Sequence, residues 1–204
     1  MPDVNVLVVF YSRSGNTEKL ANALAEGARA EGADVRMRRA RDFVSREIMK
    51  RAPGWVENRD RMHSEYEAPT DADAEWADGI AFGTPTRFGN SSAELKAYID
   101  SLGGLWFQGK LNGKAGTAFT STSSPHGGNE TTIFSLYAPM AHLGLIIVPM
   151  GYTDPTIFRT STPYGASSVS GAGAGTPPSE DDLNVARSQG RRLTQVARAL
   201  KSPR

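Results

Sequence analysis

The chain has 204 residues, a formal net charge of +1 and no cysteine. These figures exclude a disulfide-stapled scaffold, thiolate metal sites and cysteine nucleophiles, and they leave any redox chemistry to a bound cofactor. They also remove any general drive toward nucleic acid or anionic membrane, and the length suits one domain, residues 1–204, with a sizeable core.

The apolar run Val4 to Phe10 reads as a first strand, and the tract Tyr11 to Glu18 leads from it into a helix. From about 16 to 31, Leu20, Ala21, Leu24, Ala25 and Ala28 share one helical face, and Gly32 suits the helix end. Val35 to Arg38 reads as a short second strand. The polar segment from about 40 to 77 predicts one short helix around Phe43 to Met49. Asp78 to Gly83 reads as a third strand, with capping-box spacing at Ser91 and Glu94 before a helix carrying Leu95, Tyr98, Ile99 and Leu102. Ala115 to Thr120 predicts a fourth strand, 130 to 142 a helix and Leu145 to Val148 a fifth strand. The Gly/Ser/Pro-rich span 160 to 178 reads as a long loop outside the core. Ser179 and Asp182 then cap a last helix reaching about Leu200.

Alternating strands and helices predict an α/β fold, a doubly wound five-stranded parallel sheet with helices on both faces. In such sheets the ligand sits beyond the carboxyl ends of the strands, where the loops after strands one, three and four converge. Two charged stretches stand apart. Arg36, Arg38, Arg39, Arg41, Arg46, Lys50 and Arg51 are basic, and Glu57, Asp60, Glu65, Glu67, Asp71, Asp73 and Glu75 are acidic. The first expectation for both is a solvated face, and mutual pairing or a subunit contact is the second.

The first loop carries the strongest chemical signal. A helix N-terminus presents unpaired backbone N–H groups and the positive end of the dipole, which stabilise a phosphate. Ser12, Ser14 and Thr17 add hydroxyls, and Gly15 permits a positive φ. The spacing of nucleoside triphosphate and dinucleotide loops is absent, so a terminal monophosphate fits best. The alternative is an ordinary turn and cap.

In the second loop, Pro85, Thr86, Arg87, Phe88 and Gly89 combine an aromatic, a cation and backbone donors that suit a planar heteroaromatic ring such as a flavin. An ordinary loop with Phe88 in the core is the competing reading. Ser121, Thr122 and Ser123, with Gly127 and Gly128, supply donors at a third strand end or form a simple flexible loop. Trp106, after Gly103 and Gly104, walls an apolar pocket or packs in the core.

Ser12-Arg13-Ser14-Gly15-Asn16-Thr17, the block from Gly83 to Asn90, Gly103-Gly104-Leu105-Trp106 and Pro163-Tyr164-Gly165-Ala166 together resemble WrbA-type NAD(P)H:quinone oxidoreductases over nearly the whole chain. The resemblance implies a flavodoxin-like fold with strand order 2-1-3-4-5, noncovalent FMN, NADH or NADPH as co-substrate, a quinone as acceptor, and a homotetramer whose sites are completed by neighbouring subunits. Ser12, Arg13, Ser14, Gly15, Asn16 and Thr17 would hold the FMN phosphate. Pro85, Thr86, Arg87, Phe88 and Gly89 would contact the ring, and Ser121, Thr122, Ser123 and Gly127 would bind the flavin from the third loop. Trp106 and Phe88 would contact substrate. His142 is the candidate proton donor to quinone, although family members often carry His-His-Gly where this chain has His142-Leu143-Gly144. Two-electron hydride transfer by a ping-pong scheme is the implied reaction.

Two other readings compete. The tract Ser12 to Thr17 also resembles the phosphosugar loop of sugar isomerase domains, and a flavodoxin-type electron carrier would share the first loop. Its position directly after the first strand, the block Thr84 to Asn90 and the near-neutral charge favour the quinone reductase. His63 and His126 lack paired ligand spacing, so a metal site is not expected. The absence of a leader pattern and of a long apolar run gives the expectation of a cytoplasmic location without membrane insertion. Asn90-Ser91-Ser92 and Asn129-Glu130-Thr131 match glycosylation acceptors and, without a secretory signal, are read as chance matches.

Overall fold

A computed structural model describes residues 4–171 and 175–201. Strand β1 (Asn5–Phe10) lies inside the sheet, and its side chains alternate between two cores. Val6, Val8 and Phe10 join Leu20, Leu24, Val185 and Leu193, while Leu7 and Val9 join Ile80, Phe82, Leu95 and Ile133. A strand covered on both faces must be apolar at every position, which is why it reads as a continuous run. Helices α1 (Asn16–Ala30) and α8 (Glu180–Lys201) cover the first face. The second is covered by α4 (Asp71–Trp76), α5 (Ala93–Ser101), α6 (Gly103–Phe107) and α7 (Asn129–His142).

The sheet is parallel, in the order β2 (Asp34–Arg39), β1, β3 (Gly79–Pro85), β4 (Ala115–Thr122), β5 (Ile146–Ile147). A sixth strand, β6 (Ser167–Val169), also pairs with β4. Since β3 occupies one edge of β4 along its length, β5 beside Ala115 and Gly116 and β6 beside Thr120 to Thr122 lie on the other. They are two halves of an interrupted edge strand.

Part of the span 160 to 178 is therefore not a loop outside the core: Ala166, Ser167 and Ser168 are buried, while 172–174 lie outside the described residues. Thr120 N donates to the Ala166 carbonyl at 3.0 Å and Ser170 N to the Thr122 carbonyl at 2.8 Å. The neighbouring strand supplies the pairing that the composition of β6 does not advertise. The fifth strand is correspondingly shorter than Leu145 to Val148.

Between β2 and β3 the short helix expected around Phe43 to Met49 forms as α2 (Arg46–Met49), and two unexpected helices follow it, α3 (Trp55–Glu65) and α4. The charged stretches pair with each other rather than simply facing solvent. Arg36 and Arg38 reach Asp73 at 3.3 and 3.0 Å, Arg38 reaches Glu67 at 3.1 Å, and Arg46 reaches Asp60 at 2.7 Å. Partners this far apart in sequence leave no local period, so α3 and α4 were illegible.

The cap of α8 forms as read: Ser179 N donates to Asp182 Oδ2 and Asp182 N to Ser179 Oγ. That of α5 is displaced by one residue. Ser92, pinned through its N–H to Thr84 Oγ1 at 2.9 Å, accepts from Leu95 N at 3.4 Å, and Ser91 N instead donates to Ser135 Oγ. Among the described residues no helix is long and apolar enough to cross a membrane.

Candidate cofactor-binding site

The loops after β1, β3 and β4 converge on one cavity of about 540 Å³ at the carboxyl end of the sheet. It is lined by Ser12, Arg13, Ser14, Asn16 and Thr17, by Pro85, Thr86 and Arg87, and by Ser121, Thr122 and Ser123. Eleven of the expected residues thus come together, as a doubly wound sheet requires of loops that follow adjacent parallel strands. Its size lies within the range of small-molecule and cofactor sites.

The first loop is built for an anion. Gly15 is the N-cap of α1 with φ 96°, a left-handed conformation that glycine adopts without strain, and no side chain caps the helix. Gly15 N is itself satisfied by Ser12 Oγ at 3.0 Å, and the first-turn residues Asn16 and Thr17 line the cavity at the end of α1 that carries free backbone N–H groups and the positive end of the dipole. Ser12 and Thr17 are buried, so their hydroxyls are held for a ligand or for each other's loops rather than for bulk water. Thr17 Oγ1 and Ser121 Oγ lie 2.8 Å apart, and Thr86 N donates to the Ser121 carbonyl at 2.9 Å, which locks the three loops together.

Below the loop lies a buried charged cluster. Arg39, wholly inaccessible, donates from Nη2 to the Ser12 carbonyl at 3.1 Å and places Nη1 2.9 Å from Asp42 Oδ2. Asp42 Oδ1 accepts from Tyr11 Oη at 2.9 Å. Burial, then the carboxylates of Glu94 and Asp42, push the Tyr11 phenol far above its ordinary range, so it stays a donor.

The second loop is a tight turn. Arg87 and Asn90 exchange backbone hydrogen bonds at 2.8 and 3.1 Å, with Phe88 at φ 54° and Gly89 at φ 77° between them. Two positive φ angles mark the mirror-image turn that suits a twisted hairpin. Phe88 stands at its tip with 102% relative exposure, so it is neither core nor part of this chain's own pocket. Gly89 N donates to Thr86 Oγ1 at 3.2 Å and supports the turn from behind. Gly127 lies outside the lining as well, its N–H bonded to the Ser124 carbonyl in the turn before α7.

Trp106 and His142 are not brought to the cavity. Trp106 lies in α6, beyond α5, and His142 ends α7; α5 and α7 both run back along the sheet from the ligand loops. His142 is the last residue of the 14-residue α7, which at 1.5 Å per residue places it about 20 Å from the third loop. It is exposed, as is Trp106 at 53%. Neither is a core residue, and within one chain neither touches the flavin-type pocket.

Five lining residues escaped the sequence. Ala52, Pro53, Trp55 and Asn58 come from the start of α3 and the turn before it, and Ser170 from the end of β6. A Pro-Gly turn followed directly by tryptophan at 53 to 55 was the one available signal, and nothing local tied it to the first loop. Ser170 was hidden by the same composition that concealed its strand.

A parallel 2-1-3-4-5 sheet with a phosphate-type loop leaving its first strand defines a flavodoxin-like protein with its ligand site at the carboxyl ends. The chain belongs to the NADPH-dependent FMN reductase family, whose sequence profile matches residues 4–153. An NAD(P)H dehydrogenase (quinone) of Archaeoglobus fulgidus is 40% identical over 195 residues, covering 96% of this chain and 98% of the relative. A protein of the same name from Methylocella silvestris is 42% identical over 203 residues, with the same coverage of 96% and 98%. Among solved structures, a flavodoxin, WrbA-like protein from Agrobacterium tumefaciens matches with a TM-score of 0.69 at 28% identity, covering 98% of this chain and 100% of that one. An archaeal flavodoxin with a TM-score of 0.62 at 16% identity, covering 95% and 98%, shares the fold.

Proposed function

We infer that the protein is an FMN-dependent NAD(P)H:quinone oxidoreductase built on one flavodoxin-like domain. The observation that carries this reading is the uncapped N-terminus of α1 opening into a cavity bordered by all three ligand loops. The residues fit FMN: buried hydroxyls and helix N–H groups for a monophosphate, and Pro85, Thr86, Arg87, Thr122 and Ser123 around a space for a planar ring. FMN, when bound, supplies the two-electron hydride chemistry. Family membership and the near-full-length relatives favour this over a sugar-phosphate domain.

Ser12 to Thr17 hold the phosphate, and Arg87 lies where a cation offsets negative charge on a reduced ring. Among the described residues Arg13 and Arg87 are the only ionisable side chains in the lining, and both are guanidinium groups that offer hydrogen bonds and positive charge. The described residues of one chain's pocket therefore include no carboxyl or imidazole to act as a general acid. Protons for the quinone come from water or from a neighbouring copy, and His142 and Trp106, exposed on the far side, are the groups a neighbour would contribute in a homotetramer. The exposed Phe88, Phe107 and Phe158 are consistent with such contacts. Donor and quinone then use the same face in turn. The proposal places the enzyme in the cytoplasm.

Purified protein reconstituted with FMN should show a bound-flavin spectrum and oxidise NADH or NADPH with benzoquinone. Light scattering should give four chains per particle. A chain that takes up no FMN ends this reading, and one that binds FMN without oxidising either nucleotide is an electron carrier instead.

A further inference from the structure

At the start of α3, Trp55 meets Arg13 of the phosphate loop. The Arg13 guanidinium carbon lies 3.8 Å from the centroid of the Trp55 ring, and both residues line the cavity. Arg13 makes no ion pair with any described carboxylate, whereas Arg38, Arg39, Arg46 and Arg61 are paired. Stacking occupies the face of a guanidinium and leaves the N–H donors around its edge available to an anion.

Trp55 is a fixed platform. It is 9% exposed, begins α3 directly after Gly54, and its indole N–H has no partner among the described residues, so packing rather than a hydrogen bond sets the ring. Six residues on, Arg61 grips α1 with both terminal nitrogens, Nη1 to Glu18 Oε1 at 2.7 Å and Nη2 to Glu18 Oε2 at 2.6 Å. That pair has a second effect. Glu18 stands in the first turn of α1, with Oε2 3.6 Å from where a Cβ on Gly15 would lie, and Arg61 neutralises a carboxylate that would otherwise repel an anion at this loop.

Resting on the FMN reading above, we propose that Trp55 is a positioning residue that holds the Arg13 guanidinium as a preformed arm for the terminal phosphate, and so makes the site select FMN over riboflavin. Ordering a long side chain before the ligand arrives lowers the cost of binding, and the gain falls only on ligands that carry the anion.

Full-length apoprotein is titrated with FMN and with riboflavin, following quenching of flavin fluorescence. Trp55→Met, which keeps apolar bulk without a π face, should weaken FMN about tenfold and leave riboflavin within about twofold. Trp55→Phe should restore most of the selectivity. Arg13→Lys keeps the charge but not the planar stack, and should lose selectivity to a similar degree; in that background Trp55→Met should cost little more. Equal losses for the two flavins in Trp55→Met mean a merely structural tryptophan and overturn the proposal. So does an Arg13→Lys variant with wild-type selectivity, which decides the matter even if Trp55→Met fails to fold. A wild-type chain that binds neither flavin overturns the cofactor reading instead.

Discussion

Arg39, at the end of the edge strand β2, donates from Nη2 to the backbone carbonyl of Ser12, at the start of the phosphate loop, across 3.1 Å. A fully buried cation thus fixes the backbone of the loop that receives the ligand, and Asp42 and Tyr11 complete the cluster. Removing one member of a buried pair strands the other without compensation.

Asp42→Ala should therefore destabilise the fold by about 3–5 kcal/mol, read from urea unfolding. The double variant Arg39→Met/Asp42→Ala, with both charges gone, should be more stable than the single one. A double variant that loses the sum of both single effects would contradict the pairing.

Thr17 Oγ1 sits 2.8 Å from Ser121 Oγ and in the wall of the cavity. Thr17→Val keeps the shape and removes the hydroxyl. A hydrogen bond to a charged group contributes about 1.5–3 kcal/mol, so FMN should bind roughly 10- to 100-fold more weakly by fluorescence titration, with thermal stability changed far less.

Helix α1, which carries the loop, lies against α8 at a point where Gly190 leaves no space: a Cβ there would be 2.0 Å from the Leu24 carbonyl oxygen. Gly190→Ala should force the helices apart. The expected cost is about 1–3 kcal/mol or more, seen as a melting temperature lowered by several degrees, despite the better helix propensity of alanine.

Asp73 ties the acidic and basic stretches together. Burial alone would raise its pKa, but hydrogen bonds from Arg38 and from the Thr70 cap outweigh it and hold the carboxyl below its usual value. A depressed folded-state pKa means stability fully present above the unfolded value of about 4 and lost as pH falls through the folded value. Unfolding midpoints measured from pH 6 down to pH 2 should decline less steeply for Asp73→Asn than for the wild type, from a lower start. Parallel declines would show that Asp73 contributes nothing to acid sensitivity.

Where a functional residue was set by the chain on either side of it, it was readable. Ser12 to Thr17 lie between an apolar strand and an amphipathic helix, and Pro85 to Arg87 and Ser121 to Ser123 follow strands of the same kind, so their convergence followed from parallel topology. Trp55 was not readable, because its importance depends on Arg13, which lies more than forty positions away and is met only when α3 docks on α1. Phe88, Trp106 and His142 were recognisable as residue types, but the direction in which the turn after β3 and the helices α6 and α7 carry them was not.

The sequence by itself determined the alternation of strands and helices, the anion-binding character of the first loop and the need for an external cofactor, because each depends on near neighbours and on composition. The tertiary structure decided which distant charges pair, that polar residues 167 to 169 form a sheet edge, and that a tryptophan of α3 walls the pocket. Those contacts arise between segments that share no local pattern, and only the packing of the whole chain brings them within reach.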